Sequence, residues 1–435
     1  MNKKIIGIFI YILLMVIIIP VTANIKEIST SDNIDNITNS MMNDRWIKTF
    51  NKGRWDSGLS VQQTIDGGYI IVGITENTPG TNDFWLIKTD SNGNKIWDKT
   101  YGGEGIDFGN FVQQTSDGGY IITGYTTSYG NDKGDVWLIK TGADGNILWN
   151  KTFGYSLHDS GSEVWQTSDG GFIIIGDTNT DGGGSGDIWV IKTDSNGDMI
   201  WDKTFNGDGR PSHDYGTSIG ITSDSGYILL GVTFTTSNNY SIWLIKIDEY
   251  GNKIWDKTIG GTDDEFGWSV QQTNDGGYII TGVDNYGITN GISTDKLWLI
   301  KTDTTGNIVW DRTYFEIGST RGYSVKQTSD DGYIIVGEKI LGSRYKPILI
   351  KTDNKGNKEW CKTFGRVLNG VIFSVQQTTD GGYIMTGSIG RFCSDLWLIK
   401  TDSQGKLKTL FSENMYFEKL FQRFPFFERI LNLII

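Results

Sequence analysis

Residues 97–125 read WDKTYGGEGIDFGNFVQQTSDGGYIITGY, and nearly the same words return along the whole chain. The element TxDGGY centres on Asp66, Asp117, Asp169, Asp224, Asp275, Asp330 and Asp380, at spacings of 51, 52, 55, 51, 55 and 50 residues. WLIKTD recurs with its lysine at Lys88, Lys140, Lys192, Lys246, Lys301, Lys351 and Lys400. WxKT recurs with its tryptophan at Trp46, Trp97, Trp149, Trp201, Trp255, Trp310 and Trp360. A fixed period of this size marks an array, in which each unit buries its apolar face against the next.

Each unit holds four strand-like runs. In the first unit they are 59–64, 69–75, 84–89 and 95–101, rich in β-branched and aromatic residues and bounded by Gly or Asp. Between the first two runs, the second glycine of the Asp-Gly-Gly turn is kept in every copy, whereas Ser225 and Asp331 replace the first. The second position is therefore the one expected to need positive φ. Between the last two runs TDSNGN keeps its glycine throughout, as a hairpin loop closed by a left-handed residue requires. Four antiparallel strands repeated seven times describe an all-β fold, a seven-bladed β-propeller over residues 46–410. WxKT also appears once ahead of the first unit, and its final copy is degraded to GKLKTLF at 405–411. Residues 46–50 are expected to complete the seventh blade and close the ring, removing exposed sheet edges.

Thirteen of the 16 tryptophans occupy two motif positions: the seven of WxKT, and Trp85, Trp137, Trp189, Trp243, Trp298 and Trp397, with Ile348 in the remaining place. Residues that recur once per blade are expected to pack blade against blade; the alternative is a ring of sugar-binding aromatics.

The ends differ in character. MNKKIIGIFIYILLMVIIIPVTA carries two lysines, an apolar run and a small-residue site, the pattern of a secretory signal cleaved after Ala23, with an uncleaved anchor as the alternative. Residues 24–45 read as a polar linker. Residues 411–435 place Phe417, Leu420, Phe421, Phe424, Phe427, Ile430, Leu431 and Ile434 at helical spacing across Pro425, an amphipathic aromatic tail that could dock on the domain or touch a membrane surface. The net charge of −12, or −14 without residues 1–23, excludes the clustered basic surface that a nucleic-acid partner needs. Cys361 and Cys393 are too few for a disulfide framework or a zinc site, and whether they bridge is left open by spacing.

The pattern DxWLIKTDSNGNxxWDKTxGG…DxG…VQQTSDGGYIITGxT, over residues 46–410, resembles the seven-bladed propeller repeat of exported bacterial and archaeal surface proteins. A tryptophan shortly after a turn glycine is also similar to quinoprotein-type propeller repeats, although no adjacent cysteine pair or cofactor motif accompanies it. TxDGG is similar to the Asp-box turn of sialidases, without their arginine triad or catalytic acids. The resemblance implies a scaffold rather than a chemistry.

Two features could carry function. Asp56, Asp107, Asp159, Asp214 and Glu265 precede the opening strands, with Thr320 and Gly370 breaking the series. They would either ring one mouth of the channel and attract calcium, or hydrogen-bond the turn backbone in each blade. His158 and His213 stand before Asp159 and Asp214 in consecutive units, as surface polar residues or as halves of a metal site. The glutamine pairs that follow suggest a polar, water-filled channel. Loops 176–187, 205–216 and 284–296 are longer than their counterparts, and sequons stand at Asn36, Asn150 and Asn239. The expectation is a secreted or surface-held, monomeric, non-catalytic module that binds a surface protein or glycan, with no resident cofactor. A polysaccharide hydrolase or lyase with its site in the mouth loops, and a structural envelope component, are the alternatives.

Overall fold

The structure is a computed structural model, and it describes residues 45–407 apart from 132, 156, 180–185, 208–213, 238, 290–291, 315–317, 343, 365–368 and 391–393. The expected leader (1–23), the expected linker (24–45) except Arg45, the expected tail (411–435), His213 and Cys393 lie outside the described residues. Strand β1 (Trp46–Phe50) comes first, followed by blade 1: β2 (Asp56–Gln63), β3 (Tyr69–Thr78), β4 (Thr81–Thr89) and β5 (Lys95–Tyr101). Blade 2 runs from β6 (Asp107–Gln114) to β9 (Ile147–Phe153), blade 3 from β10 (Ser160–Gln166) to β13 (Met199–Phe205), and blade 4 from β14 (Tyr215–Ile221) to β17 (Lys253–Ile259). Blade 5 has β18 (Phe266–Gln272), β19 (Tyr278–Asp284), β22 (Lys296–Thr302) and β23 (Ile308–Tyr314), with a small hairpin, β20 (Ile288–Thr289) and β21 (Ile292–Ser293), in its long loop. Blade 6 runs from β24 (Ser319–Gln327) to β27 (Lys358–Thr363), and blade 7 holds β28 (Gly370–Gln377), β29 (Tyr383–Ile389) and β30 (Asp395–Thr401). β1 pairs antiparallel with β30, Trp46 opposite Lys400, as the fourth strand of blade 7. The chain is thus an all-β, seven-bladed propeller of four-stranded antiparallel sheets.

The cores lie between blades. Ile70, Val72, Phe84 and Leu86 of blade 1 pack with Val112, Tyr120, Ile122, Trp137 and Ile139 of blade 2. Ile384, Leu396 and Leu398 of blade 7 pack in the same way against Val61, Tyr69, Ile71, Trp85 and Ile87 of blade 1. The two tryptophan series do different work. Trp85, Trp137, Trp189, Trp243 and Trp397 are buried and Trp298 half-buried, and the indole N–H of Trp85 donates to Asp98 at 2.9 Å on the next strand. The WxKT tryptophans are half-buried, each lying over the hairpin glycine of the following blade. A β-carbon added to Gly93, Gly145, Gly197, Gly251, Gly306, Gly356 or Gly405 would fall 2.4–2.9 Å from Trp46, Trp97, Trp149, Trp201, Trp255, Trp310 or Trp360 respectively. Large flat faces suit the wedge between twisted sheets, and the rings lie where one blade meets the next.

The Asp-Gly-Gly turn corrects the expectation drawn from its glycines. The left-handed residue is the first after the aspartate, Gly67 at φ 80° with Ser225 at 66° and Asp331 at 62°. The invariant second glycine is needed for space: a β-carbon on Gly68 would sit 2.1 Å from the Thr89 carbonyl oxygen and 2.6 Å from Lys88 Nζ. That ammonium is buried and pairs with Asp66, and the same pair recurs in all seven blades at 2.6–3.0 Å. Desolvation pushes Asp66 up, but hydrogen bonds from Lys88, Thr64 and the Gly68 amide prevail and hold it at about 2.

Candidate functional site: the channel mouth

The opening strands β2, β6, β10, β14, β18, β24 and β28 neighbour one another in order and form the innermost layer. Each carries a β-bulge, after Gly58 in β2 and after Gly267 in β18, which turns one residue out of the ladder. The bulged residues are Leu59, Asn110, Ser162, Thr217, Trp268, Tyr323 and Phe373. In blades 2–4 they are polar and donate to a carbonyl of the next blade: Asn110 to Gly161 at 2.9 Å, Ser162 to Gly216 and Thr217 to Gly267 at 2.8 Å. In blades 5–7 they are aromatic, with Trp268 5.1 Å from Tyr323 and Tyr323 5.4 Å from Phe373, ring centre to ring centre.

The aromatic side continues upward. Phe266, two residues before Trp268, lies 4.9 Å from Tyr286 and 5.4 Å from Tyr240, and Tyr240 lies 5.1 Å from Phe234. Seven rings thus make one arc over blades 4–7; six are half-buried and Tyr286 is 38% exposed. Arg321 completes it, its guanidinium 4.7 Å above Tyr286 while Nε donates to Asp295 at 2.6 Å and Nη1 lies 3.4 Å from Glu338. Tyr323 donates its hydroxyl to the same Glu338 oxygen at 2.7 Å. Burial raises the Glu338 carboxyl despite those donors. The Tyr240 phenol is raised by burial, then by Asp264 and Asp214; that of Tyr215 is raised by burial and by Tyr240, Tyr286, Asp177 and Asp264.

At the glutamine end the channel is bridged. Lys326 of blade 6 reaches the face of Trp165 in blade 3, 5.9 Å from the ring centre. Trp165 donates to the buried Glu163 at 2.9 Å, and Glu163 also accepts from Ser218 at 2.6 Å and the Ile219 amide at 3.0 Å. The glutamines are staples between blades, not merely a polar lining. Gln62 Oε1 accepts the Gln114 amide at 2.6 Å from one neighbouring blade, and Gln63 Oε1 accepts the Thr379 amide at 2.9 Å from the other.

The carboxylates singled out from the sequence turn into their own blades. Asp56, Asp107, Asp159, Asp214 and Glu265 are all buried. Asp56 accepts the Lys52 amide at 2.9 Å, Asp107 the Gly103 amide at 3.0 Å, Asp159 the Tyr155 amide at 2.7 Å, and Asp214 the Gly207 amide at 2.8 Å. Glu265 has Oε2 buried without a hydrogen-bond partner, and burial, with Asp284, Asp263 and Asp264 nearby, raises its carboxyl to about 7 against the Gly261 amide. His158 stacks on Tyr125 at 4.7 Å and faces Asp177 at 3.8 Å rather than the buried Asp159. Among the described residues, no group of three or more His, Cys, Asp or Glu side chains could hold a metal ion. Asn239 is buried and gives its amide to the carbonyls of Gly261 and Asp263, so this sequon is not open in the folded chain. An open cleft of about 550 Å³ lies away from the mouth, between the turns of blades 5 and 6 beside Trp310. Its lining includes the motif residues Asp275, Lys301 and Tyr333, whose kind recurs around the ring, so the mouth is the more distinctive surface.

A channel with one aromatic, charged mouth on a propeller scaffold defines the class of protein: a repeat fold whose individuality lies in its non-repeating inner residues. No family model matches the chain, and no curated protein matches it. Among solved structures it is similar to the WD40 domain of Pan2 from Neurospora crassa, with 12% identity, a TM-score of 0.47, and 83% of this chain and 99% of that one covered. It is similar to YCF48 bound to D1 peptide, with 12% identity, a TM-score of 0.49, and 85% and 96% covered. A protein of unknown function from Bacteroides caccae matches with 13% identity, a TM-score of 0.42, and 65% and 90% covered.

Proposed function

We propose that this chain is an exported, non-catalytic binding module held at the cell surface, which receives a protein partner at the aromatic mouth of its channel. One observation carries the reading: seven contiguous, partly exposed rings stand where the repeats differ, not where the motifs recur. Aromatic side chains that keep exposed faces supply contact area at low entropic cost, which is why they anchor interfaces. β1 acts as the closing strand of the ring, holding the mouth residues of blade 7 against those of blade 1. Export rests on the leader sequence, whose cleavage would leave Asn24 as the mature N-terminus.

The test is selection from a random peptide library by the full chain and by its Trp268→Ala/Tyr323→Ala variant. Enriched peptides should bind the wild type and lose at least tenfold in affinity for the variant. Absence of enrichment, or equal binding by both, contradicts the reading. N-terminal sequencing of the envelope-associated protein tests export, and a sequence beginning at Met1 with the protein in the cytoplasm would refute it.

A further inference from the structure

We infer that the aromatic mouth takes a cationic segment of its partner, one that presents lysine or arginine side chains to the ring faces. The inference rests on the binding reading above and names the chemistry of the occupant.

Geometry and charge agree on this. The arc already holds one guanidinium, Arg321, at 4.7 Å over Tyr286 and fixed by two buried carboxylates, so the wall is shaped to accept that group. Beside it, Asp264 accepts the Tyr240 amide at 2.8 Å and Asp284 stands 3.3 Å from Lys296, leaving the acids around blades 4–6 in excess over Arg321 and Lys296. The Tyr240 phenol, raised first by burial and then by Asp264 and Asp214, agrees with that excess of negative charge. The electron-rich faces of Trp268, Tyr240 and Phe266 attract cations, more strongly where water is excluded. A carboxylate-bearing ligand would meet repulsion here. Lys326 is no counter-argument, because it lies over Trp165 at the opposite end of the channel.

The experiment uses three fluorescein-labelled 12-residue peptides of equal apolar content, carrying four arginines, four glutamines or four glutamates, titrated into the full chain by fluorescence anisotropy. The arginine peptide should bind at least tenfold more tightly than the glutamine peptide. That preference should shrink severalfold in Asp264→Asn and in 500 mM salt, and Trp268→Ala should weaken the arginine peptide at least tenfold. A glutamine or glutamate peptide that binds equally or better, and still depends on Trp268, overturns the cation inference while the mouth-binding reading stands. Binding that ignores Trp268, or no binding by any peptide, overturns both. Circular dichroism of Trp268→Ala must match the wild type; if it does not, Trp268→Phe is read instead, with the same direction of loss required.

Discussion

At the scale of single residues, the repeated lysine–aspartate pair and the glycine beside it make separate demands. Gly67→Asp reproduces what Asp331 already does at positive φ and should cost about 1 kcal/mol, whereas Gly68→Ala forces a methyl towards the Thr89 carbonyl oxygen and should cost about 3 kcal/mol. Urea unfolding of the two variants separates them. Asp66, Asp117 and Asp169 are each held at about 2, below the ordinary aspartate value near 4. The native state therefore binds fewer protons than the unfolded chain in that window. The stabilisation by these pairs is complete above about pH 4 and is lost as pH falls towards 2. Glu265 has the opposite sign. Its carboxyl, raised to about 7, keeps a proton that the unfolded chain releases near 4.3. Stability is lost as pH rises through this range, so Glu265→Gln should raise the melting temperature at pH 8 relative to wild type and remove that slope.

At the scale of strands, the central question is what β1 contributes. It supplies Trp46 and Phe50 to the core shared by blades 7 and 1 and pairs over its whole length with β30. Deleting 46–50 should lower the melting temperature by more than 10 °C, while deleting 24–40 should leave it nearly unchanged; equal effects would refute the closing role. Trp85→Ala removes a fully buried ring and should cost about 3–5 kcal/mol. Trp97→Ala uncovers only a half-buried face over Gly145 and should cost less. Strand existence and blade count were legible because WxKT, WLIKTD and TxDGGY announce themselves by repetition. β2 begins at Asp56, three residues ahead of the run that composition marks from Leu59, because nothing in composition distinguishes a carboxylate that opens a strand from one that ends a loop. The turn glycines misled for a physical reason: invariance signalled lack of room for a β-carbon at Gly68, not its backbone angle.

At the scale of the molecule, repetition hides the site. The motif residues build cores, turns and staples, and the mouth is made by what is left over: the bulged position and the one two residues before it in the opening strands, with Phe234, Tyr240 and Tyr286 beside them. Reading the bulged column around the ring, from Leu59 to Phe373, shows Trp268, Tyr323 and Phe373 as aromatic departures from Leu59, Asn110, Ser162 and Thr217, while the column two residues before it is mixed, with Phe108, Tyr215, Phe266 and Arg321 beside Ser57, Ser160 and Val371. Asp56, Asp107, Asp159 and Asp214 are absorbed into backbone hydrogen bonds, and the bulge that turns the variable residues out of the ladder is invisible without the ladder. On the proposed reading, function on this scaffold depends on a few irregular positions that the regular ones hold in place. The most direct test of that claim is site-specific photo-crosslinking in cells that produce the chain, with benzoylphenylalanine in place of Phe373 at the mouth or of Ile200 on an outer strand. Discrete adducts from position 373 and none from position 200 are the predicted result. No adduct from 373, or the same adducts from both positions, would contradict it.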